Sequence, residues 1–403
     1  MPQVKPNIDP IVKIKIVGVG GGGGSAINRM VAEKIKGVDF IAMNTDVQAL
    51  HLNSAPQKLH IGQTVTRGLG AGMDPEVGRR AAEESQNEIR EILKDADMVF
   101  ITCGLGGGTG TGAGPMVAEI AKEIGALTVA VVTKPFAWEG PKRSEIAEAG
   151  WEEIAKKVDS IITVPNERIL QVIDKKTPFT EAFRIADDIL RQGVQGISEI
   201  ITTPGGINVD FADVKTIMRD TGSALMGIGI GKGENKATDA AKAAVSSPLL
   251  DLSIDGARGI LFTLTGGSDL TMDEVNEAAK IITSSASSDA KIIFGSVIDE
   301  DMKDTVKITV VATGFEEKHL RQMSDEDAAK KSFSSGKYTP SPFVIKTQKE
   351  EEEKDKKFKQ FAQKNINNNA QASANSQFAG IIKNFDDEEE LAIPPFIKKK
   401  MGI

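Results

Sequence analysis

A chain of 403 residues has room for two domains of roughly 150 residues each, plus further segments. Its net charge of −8 argues against a general nucleic-acid binder, and its 40% hydrophobic and 26% charged residues are ordinary for a soluble globular protein. Cys103 is the only cysteine and the three histidines (His51, His60 and His319) are far apart, which excludes an intrachain disulfide, implies a reducing compartment and argues against a Cys/His metal centre. The amino end lacks a signal-peptide pattern, and no window approaches about 18 uncharged apolar residues. The expectation is a cytoplasmic protein with no membrane insertion.

From Ile11 to about Asn166, short apolar runs alternate with helical periodicity. Strands are predicted at Ile11–Val19, Phe40–Asn44, Met98–Cys103, Thr128–Thr133 and Ser160–Val164, with helices at Ala26–Lys36, Pro75–Leu93, Pro115–Ile124 and Ser144–Lys157. Such alternation implies βαβ units and a mainly parallel sheet, with ligands beyond the carboxyl ends of its strands. A long helix follows, about Phe179 to Ile201. On it Ala182, Ile185, Ala186, Ile189, Val194, Ile197 and Ile200 mark a buried stripe. Thr203–Gly206 break the pattern.

A smaller α/β domain comes next: helix Phe211–Met218, strand Ser223–Ile230, helix Lys236–Ser246, strand Gly259–Thr265, helix Thr271–Ser284, and strands Lys291–Ser296 and Lys307–Thr313. Beyond about Glu316 the chain turns to Lys, Glu, Gln, Asn, Ser and Ala, too poor in large apolar residues to offset its conformational entropy, so a disordered linker is expected. Apolar residues return in FDDEEELAIPPFIKKKMGI, which reads as a docking peptide on a tether or, more plainly, as further solvated tail. The expected divisions are 1–10 (flexible), 11–177 (first domain), 178–203 (central helix), 204–316 (second domain), 317–384 (linker) and 385–403 (docking peptide).

Gly18 to Gly24, followed by Ser25, join a strand to a helix. A backbone without side chains can approach an anion there, and the helix start offers free N–H groups. Gly18, Gly20 and Gly23 satisfy GxGxxG, alone a weak signal. A dinucleotide fold also needs an acid at the end of the next strand, about 20 residues on, but Asp39 precedes that strand. The second cluster, GLGGGTGTG from Gly104 to Gly112, joins another strand to a helix, with Pro115 expected in the first turn of that helix. A third loop, Gly68-Leu69-Gly70-Ala71-Gly72, can close over a terminal phosphate. Neither cluster contains lysine and GxxxxGK[ST] is absent, so this is not a P-loop protein. Phosphate charge then falls to backbone N–H groups, the Thr109 and Thr111 hydroxyls, helix dipoles and a cation, with Mg²⁺ the expected one.

GGGTGTG resembles the signature of the tubulin/FtsZ GTPase family. VGVGGGGGSAINRM, MNTD, GLGAG, TKPF, EGPKR, PNERI, FRIADDIL and NVDFADVKTIM are similar to its FtsZ branch, from about Ile11 to Phe315, and LAIPPFIKKK is similar to the branch's terminal peptide. The resemblance implies a Rossmann-like GTP-binding domain, a central helix, a smaller C-terminal α/β domain and a disordered tail. It places Gly21, Gly22, Gly23, Gly24, Ser25, Gly108, Thr109 and Gly110 around the phosphates of GTP or GDP, with Ala71 and Gly72 near the γ-phosphate, and adds Asn44 and Thr133 to the nucleotide-binding residues. Glu139 and Arg143 would contact the ribose and nearby phosphate region, and Asn166, Phe183 and Asp187 the base. Phe183 and Asp187, at i and i+4, share one helix face, so a ring can stack on the purine while a carboxylate accepts from guanine N1–H and N2–H₂. Read without the family, Phe183 is a core residue and Asp187 a solvated acid. Ser25 stands where the family commonly has Asn, and Met73-Asp74-Pro75 where it has Ala-Asn-Pro.

Asn208-Val209-Asp210-Phe211-Ala212-Asp213 opens a helix and by itself reads as an N-cap with an acid in the first turn. The resemblance makes it the synergy loop, which enters the nucleotide site of the next subunit. There Asp210 and Asp213 would polarise or position the attacking water and a cation, with Asn208 helping to orient the site and a monovalent cation as a further candidate. Head-to-tail assembly of this kind builds filaments, here expected to form the bacterial division ring at mid-cell. Leu391–Lys400 would dock on membrane tethers and division regulators, anchored by Ile393, Pro394, Pro395 and Phe396, while Lys398–Lys400 are too few charges to hold a membrane alone. A dinucleotide-dependent oxidoreductase leaves GGGTGTG unexplained, and the intact Asp210/Asp213 pair argues against a paralogue that binds GTP without hydrolysing it.

Overall fold

The computed structural model describes residues 12–173, 176–203, 205–207, 209–247, 254–300 and 302–315. Asn208, the linker 317–384 and the segment 385–403 lie outside the described residues. In chain order the first half runs β1 (Ile14–Val19), α1 (Gly20–Ala32), β2 (Val38–Asn44), α2 (Val47–His51), β3 (Gln57–His60), α3 (Gln63–Thr66), α4 (Pro75–Glu84), α5 (Gln86–Leu93), β4 (Met98–Gly104), α6 (Thr109–Glu123), β5 (Leu127–Lys134), a 3₁₀ turn (Ala137–Glu139), α7 (Pro141–Ala155), β6 (Ser160–Pro165) and α8 (Asn166–Val172). The central helix is α9 (Phe179–Thr202). After it come α10 (Phe211–Met218), β7 (Gly222–Lys232), α11 (Lys236–Val245), β8 (Gly259–Gly266), α12 (Met272–Thr283), β9 (Lys291–Ile298) and β10 (Thr305–Thr313).

Among the described residues, ten strands form one sheet in the order β3-β2-β1-β4-β5-β6-β7-β10-β8-β9. Strands β1 to β6 pair in parallel, and the start of β7 continues that register on β6. The mixed α/β fold class is as expected, but the far end is not parallel throughout: β10 runs antiparallel to both β7 and β8. The order reverses between β1 and β4, the switch point at which open α/β sheets bind ligands.

Among the described residues, three apolar cores hold the layers. Helices α4 to α7 cover one face of the first half through residues such as Ala81, Ile89, Val117 and Ile154. The other face packs on α1 and α9, and this core also takes Met226, Leu261 and Val311 from the far strands. On α9 the stripe is buried at Ala182, Ala186, Ile189, Val194, Ile197 and Ile200, joined by Leu190. Each large apolar side chain so buried contributes about 1.5–3 kcal/mol. A third core lies between α11, α12 and the outer face of β7, β8 and β10.

Three sequence expectations need correction. The helix expected over Pro75–Leu93 is two helices, split at buried Ser85, whose hydroxyl accepts the Gly62 N–H at 3.1 Å. The first glycine run is no loop: α1 begins at Gly20. Likewise α6 begins at Thr109, so Pro115 lies inside that helix rather than in its first turn. Gly and Pro are poor helix formers, and tertiary packing has overridden propensity at both sites.

Candidate functional site

A cavity of about 260 Å³ opens beyond the carboxyl ends of β1, β4 and β5, reaching Val19, Gly104 and Thr133. At one end Gly21 and Gly22 of α1 meet Gly108 and the first residues of α6, Thr109 and Gly110. The residues preceding these helices, Val19 and Gly108, supply no side-chain cap. Two sets of first-turn N–H groups, each at the positive end of a helix dipole, therefore line one cavity, an arrangement suited to an anion. The two turns touch backbone to backbone: a Cβ on Gly20 (φ 73°) would lie 2.9 Å from Gly110 N, and one on Gly22 would lie 3.2 Å from Gly104 N.

Thr109 lines this end, and its hydroxyl lies 2.6 Å from that of Thr45. Thr111 does not join it. Its buried hydroxyl accepts the Gly106 N–H at 2.9 Å, so it shapes the turn instead of facing a phosphate. Ala71 and Gly72 are not part of the lining, but their loop lies against it: a Cβ on Gly108 would lie 2.8 Å from that of Ala71. Gly24, Ser25 and Asn44 line a neighbouring cavity of about 240 Å³ that shares Gly21 with the first. Gly23 lines neither and packs on the Thr102 carbonyl.

The lining also includes Thr133, Glu139, Arg143, Asn166, Phe183 and Asp187, of which Thr133 and Arg143 lie against the second glycine turn: a Cβ on Gly104 would lie 3.5 Å from the Thr133 hydroxyl, and one on Gly106 2.8 Å from Arg143 Cγ. Glu139 Oε1 accepts the Phe136 N–H at 2.9 Å, and its other oxygen pairs with Arg143 at 3.1 Å. Arg143 Nε and Asn166 Oδ1 are buried with no partner among the described residues. Such orphaned atoms are costly unless a ligand satisfies them. Phe183 meets Phe136 edge-on at 5.5 Å, and Phe136 stacks on exposed Trp138 at 5.4 Å. Burial pushes the Asp187 pKa up to about 6, against the opposing pull of the Arg29 charge. Phe183 and Asp187 share a face of α9 with Ala186 and Leu190. These last two, with Leu105 and Pro135, complete the wall and were not read as site residues. Each lies inside a segment quoted for the resemblance: Leu105 in GLGGGTGTG, Pro135 in TKPF, and Ala186 and Leu190 in FRIADDIL.

Asp210 is the N-cap of α10, accepting the Asp213 N–H at 2.9 Å. Both acids are exposed and neither lines the cavity of its own chain. Asp39 lies at the amino end of β2, away from the cavity, and Asp46 beyond the carboxyl end spends its side chain capping α2. A dinucleotide-type ribose acid is thus missing from the described residues at that strand end.

Residues 13–174 match the Tubulin/FtsZ family GTPase domain and residues 222–316 the FtsZ family C-terminal domain. The chain belongs to the FtsZ family of tubulin-like GTPases. An empty FtsZ dimer from M. jannaschii is 47% identical, covering 75% of this chain and 88% of that one, with a TM-score of 0.72. An FtsZ point mutant from the same organism is also 47% identical, covering 75% and 91%, with a TM-score of 0.73. A GTPγS-bound CetZ2 protofilament from Haloferax volcanii is 21% identical and shares the fold, with a TM-score of 0.65 over 81% of this chain and 100% of that chain. As an FtsZ-family GTPase, the enzyme converts GTP to GDP and phosphate. No helix among the described residues is long and apolar enough to cross a membrane.

Proposed function

We propose that the cavity binds GTP with its phosphates on the starts of α1 and α6, its ribose by Thr133, Glu139 and Arg143, and its guanine between Phe183, Asn166 and Asp187. The observation that carries this reading is the set of groups left without partners at the base end. Asn166 Oδ1 is an orphaned acceptor and Asp187 a half-buried carboxylate whose pKa desolvation raises, in one cavity with an aromatic ring. Guanine offers two adjacent donors to such a carboxylate. Adenine does not. Ala71 and Gly72 would meet the terminal phosphate from the loop resting on Gly108, and Gly24, Ser25 and Asn44 would support the phosphate turn from the neighbouring cavity.

Mg²⁺, when bound, supplies charge neutralisation between phosphates. Among the described residues no three His, Cys, Asp or Glu side chains converge as a metal cluster. The ion would therefore take its oxygens mainly from phosphate and water, as a small cation that dehydrates reluctantly does.

Hydrolysis requires a water positioned against the terminal phosphate, and the cavity's own phosphate end presents glycines, Thr109 and no carboxylate. Asp210 and Asp213, exposed at the start of α10, would enter the site of the next subunit together with Asn208, completing it there. Subunits would stack head to tail into filaments, and hydrolysis would weaken the contact. A monovalent cation at the junction belongs to the same reading. We place the polymer at the mid-cell division ring beneath the inner membrane, tethered through Leu391–Lys400 to membrane anchors and division regulators.

The test is GTP turnover per subunit against protein concentration, for the wild type and for Asp213→Ala. The expected result is turnover that appears above a threshold and vanishes in the variant while GTP affinity persists. Turnover independent of concentration would mean that each chain hydrolyses alone.

A further inference from the structure

The segment carrying Ala71 and Gly72 is held at both ends by one helix. Its far end enters α4 through Asp74, which caps that helix by accepting the Glu76 N–H at 2.9 Å. Its near end returns to the other terminus of α4. There Ser85 Oγ accepts the Gly62 N–H at 3.1 Å, and the Glu84 carboxylate accepts the N–H groups of Thr64 and Val65 at 2.9 and 3.1 Å. These are first-turn donors of α3, and accepting from them holds the Glu84 carboxyl below its ordinary range. Gly62 takes φ 67°, and a Cβ on it would lie 2.2 Å from that of Ala81, so the segment touches α4 directly. Ser85 leaves helical geometry (φ −101°, ψ 20°), which splits α4 from α5.

Helix α4 is in turn locked to the second glycine turn: a Cβ on Gly78 would lie 2.3 Å from the Gly108 carbonyl oxygen. The segment is also stitched across to Thr109. The Thr66 hydroxyl lies 3.2 Å from the Thr45 carbonyl, and the Thr45 hydroxyl lies 2.6 Å from that of Thr109. A rigid helix thus relates the loop over the terminal phosphate to the turn beneath it, and Glu84 and Ser85 are the groups that close the clamp. Neither lines the cavity.

We infer that Glu84 and Ser85 are positioning residues for the loop 62–74, which set the preference for a nucleoside triphosphate over a diphosphate without touching either. This rests on the reading that Ala71 and Gly72 face the terminal phosphate. A diphosphate does not reach that loop, so loosening the clamp weakens triphosphate binding alone.

The experiment measures affinities for GTP and GDP on the full chain below its assembly threshold, in the wild type and in Ser85→Ala, Ser85→Thr, Glu84→Gln and Gly72→Asp. Losing one such hydrogen bond should weaken GTP by about three- to tenfold and GDP by less than about twofold, with Ser85→Thr near wild type because it keeps the hydroxyl. A merely structural role would lower both affinities together. Gly72→Asp tests the underlying reading: its Cβ has open space, Asp tolerates the left-handed φ of 58°, and its charge should repel a terminal phosphate. If Gly72→Asp lowers the GTP-to-GDP preference while the Ser85→Ala and Glu84→Gln preferences stay at wild type, the clamp is overturned and the site reading stands. If Gly72→Asp leaves the preference unchanged, both fall.

Discussion

Asp187 shares its cavity wall with Phe183, Ala186 and Leu190, and burial raises its pKa from 3.8 to about 6. Between those two values the folded chain binds a proton that the unfolded chain has already lost, so stability falls as pH rises through about 4 to 6 and stays lower above. At pH 7 the ionised carboxylate costs the ligand-free fold up to about 3 kcal/mol. Asp187→Asn is therefore expected to raise the melting temperature of the nucleotide-free protein while weakening GTP at least about 100-fold, since two charge-assisted bonds are lost. An amide can donate to the C2 carbonyl of xanthine, so xanthosine triphosphate should replace GTP in that variant. Equal loss of both nucleotides would place the base elsewhere. In the wild type, GTP affinity should decline as pH drops through about 6, where protonated Asp187 loses its charge and one oxygen becomes a donor, so it no longer accepts both guanine N–H groups.

At the scale of the element, α1 and α6 begin in runs of glycine because their first turns touch neighbouring backbone and must leave a cavity open. The positions are not equivalent. Gly21 lines the cavity, and a Cβ on it would meet nothing within 4 Å, whereas one on Gly23 would lie 2.3 Å from the Thr102 carbonyl oxygen. Gly21→Ala should leave stability unchanged or raised by up to about 1 kcal/mol through helix propensity, yet weaken nucleotide binding. Gly23→Ala should destabilise by about 1–3 kcal/mol or more, because the sheet has no room to yield. Thermal melts with and without GTP separate the two. Equal melting temperatures for both variants would show that the first turn of α1 is not packed on β4 as described. The helix periods themselves were legible, but their starts were not: a propensity argument cannot see that the Gly23 Cα rests on a strand 79 residues later.

For the whole molecule, the acids of α10 and the cavity they would serve belong to one chain but do not meet within it. Mixing Asp213→Ala with Asp187→Asn should restore part of the turnover that each lacks. The first contributes an intact cavity and the second an intact α10, joined in a single contact. No recovery at any ratio, with each variant still able to co-assemble with wild type, would contradict a shared site.

What the sequence alone determined is the part carried by short-range pattern: strand–helix alternation, the buried stripe of α9, the glycine turns, and the segment-by-segment family resemblance. The i and i+4 spacing of Phe183 and Asp187 fixed that they share a helix face, but only the family resemblance pointed that face at a ligand; by pattern alone they read as a core ring and a solvated acid. What tertiary structure decided lies where partners are distant in sequence. Ser85 breaks a helix because of Gly62, Thr111 serves Gly106 and the core instead of the cavity, Asn166 and Arg143 are left with unmatched buried atoms, and the far strands turn antiparallel. A serine or threonine has the same local signature whether its hydroxyl meets a ligand or a backbone amide. Only the packing of the fold settles which of the two lies within hydrogen-bonding reach.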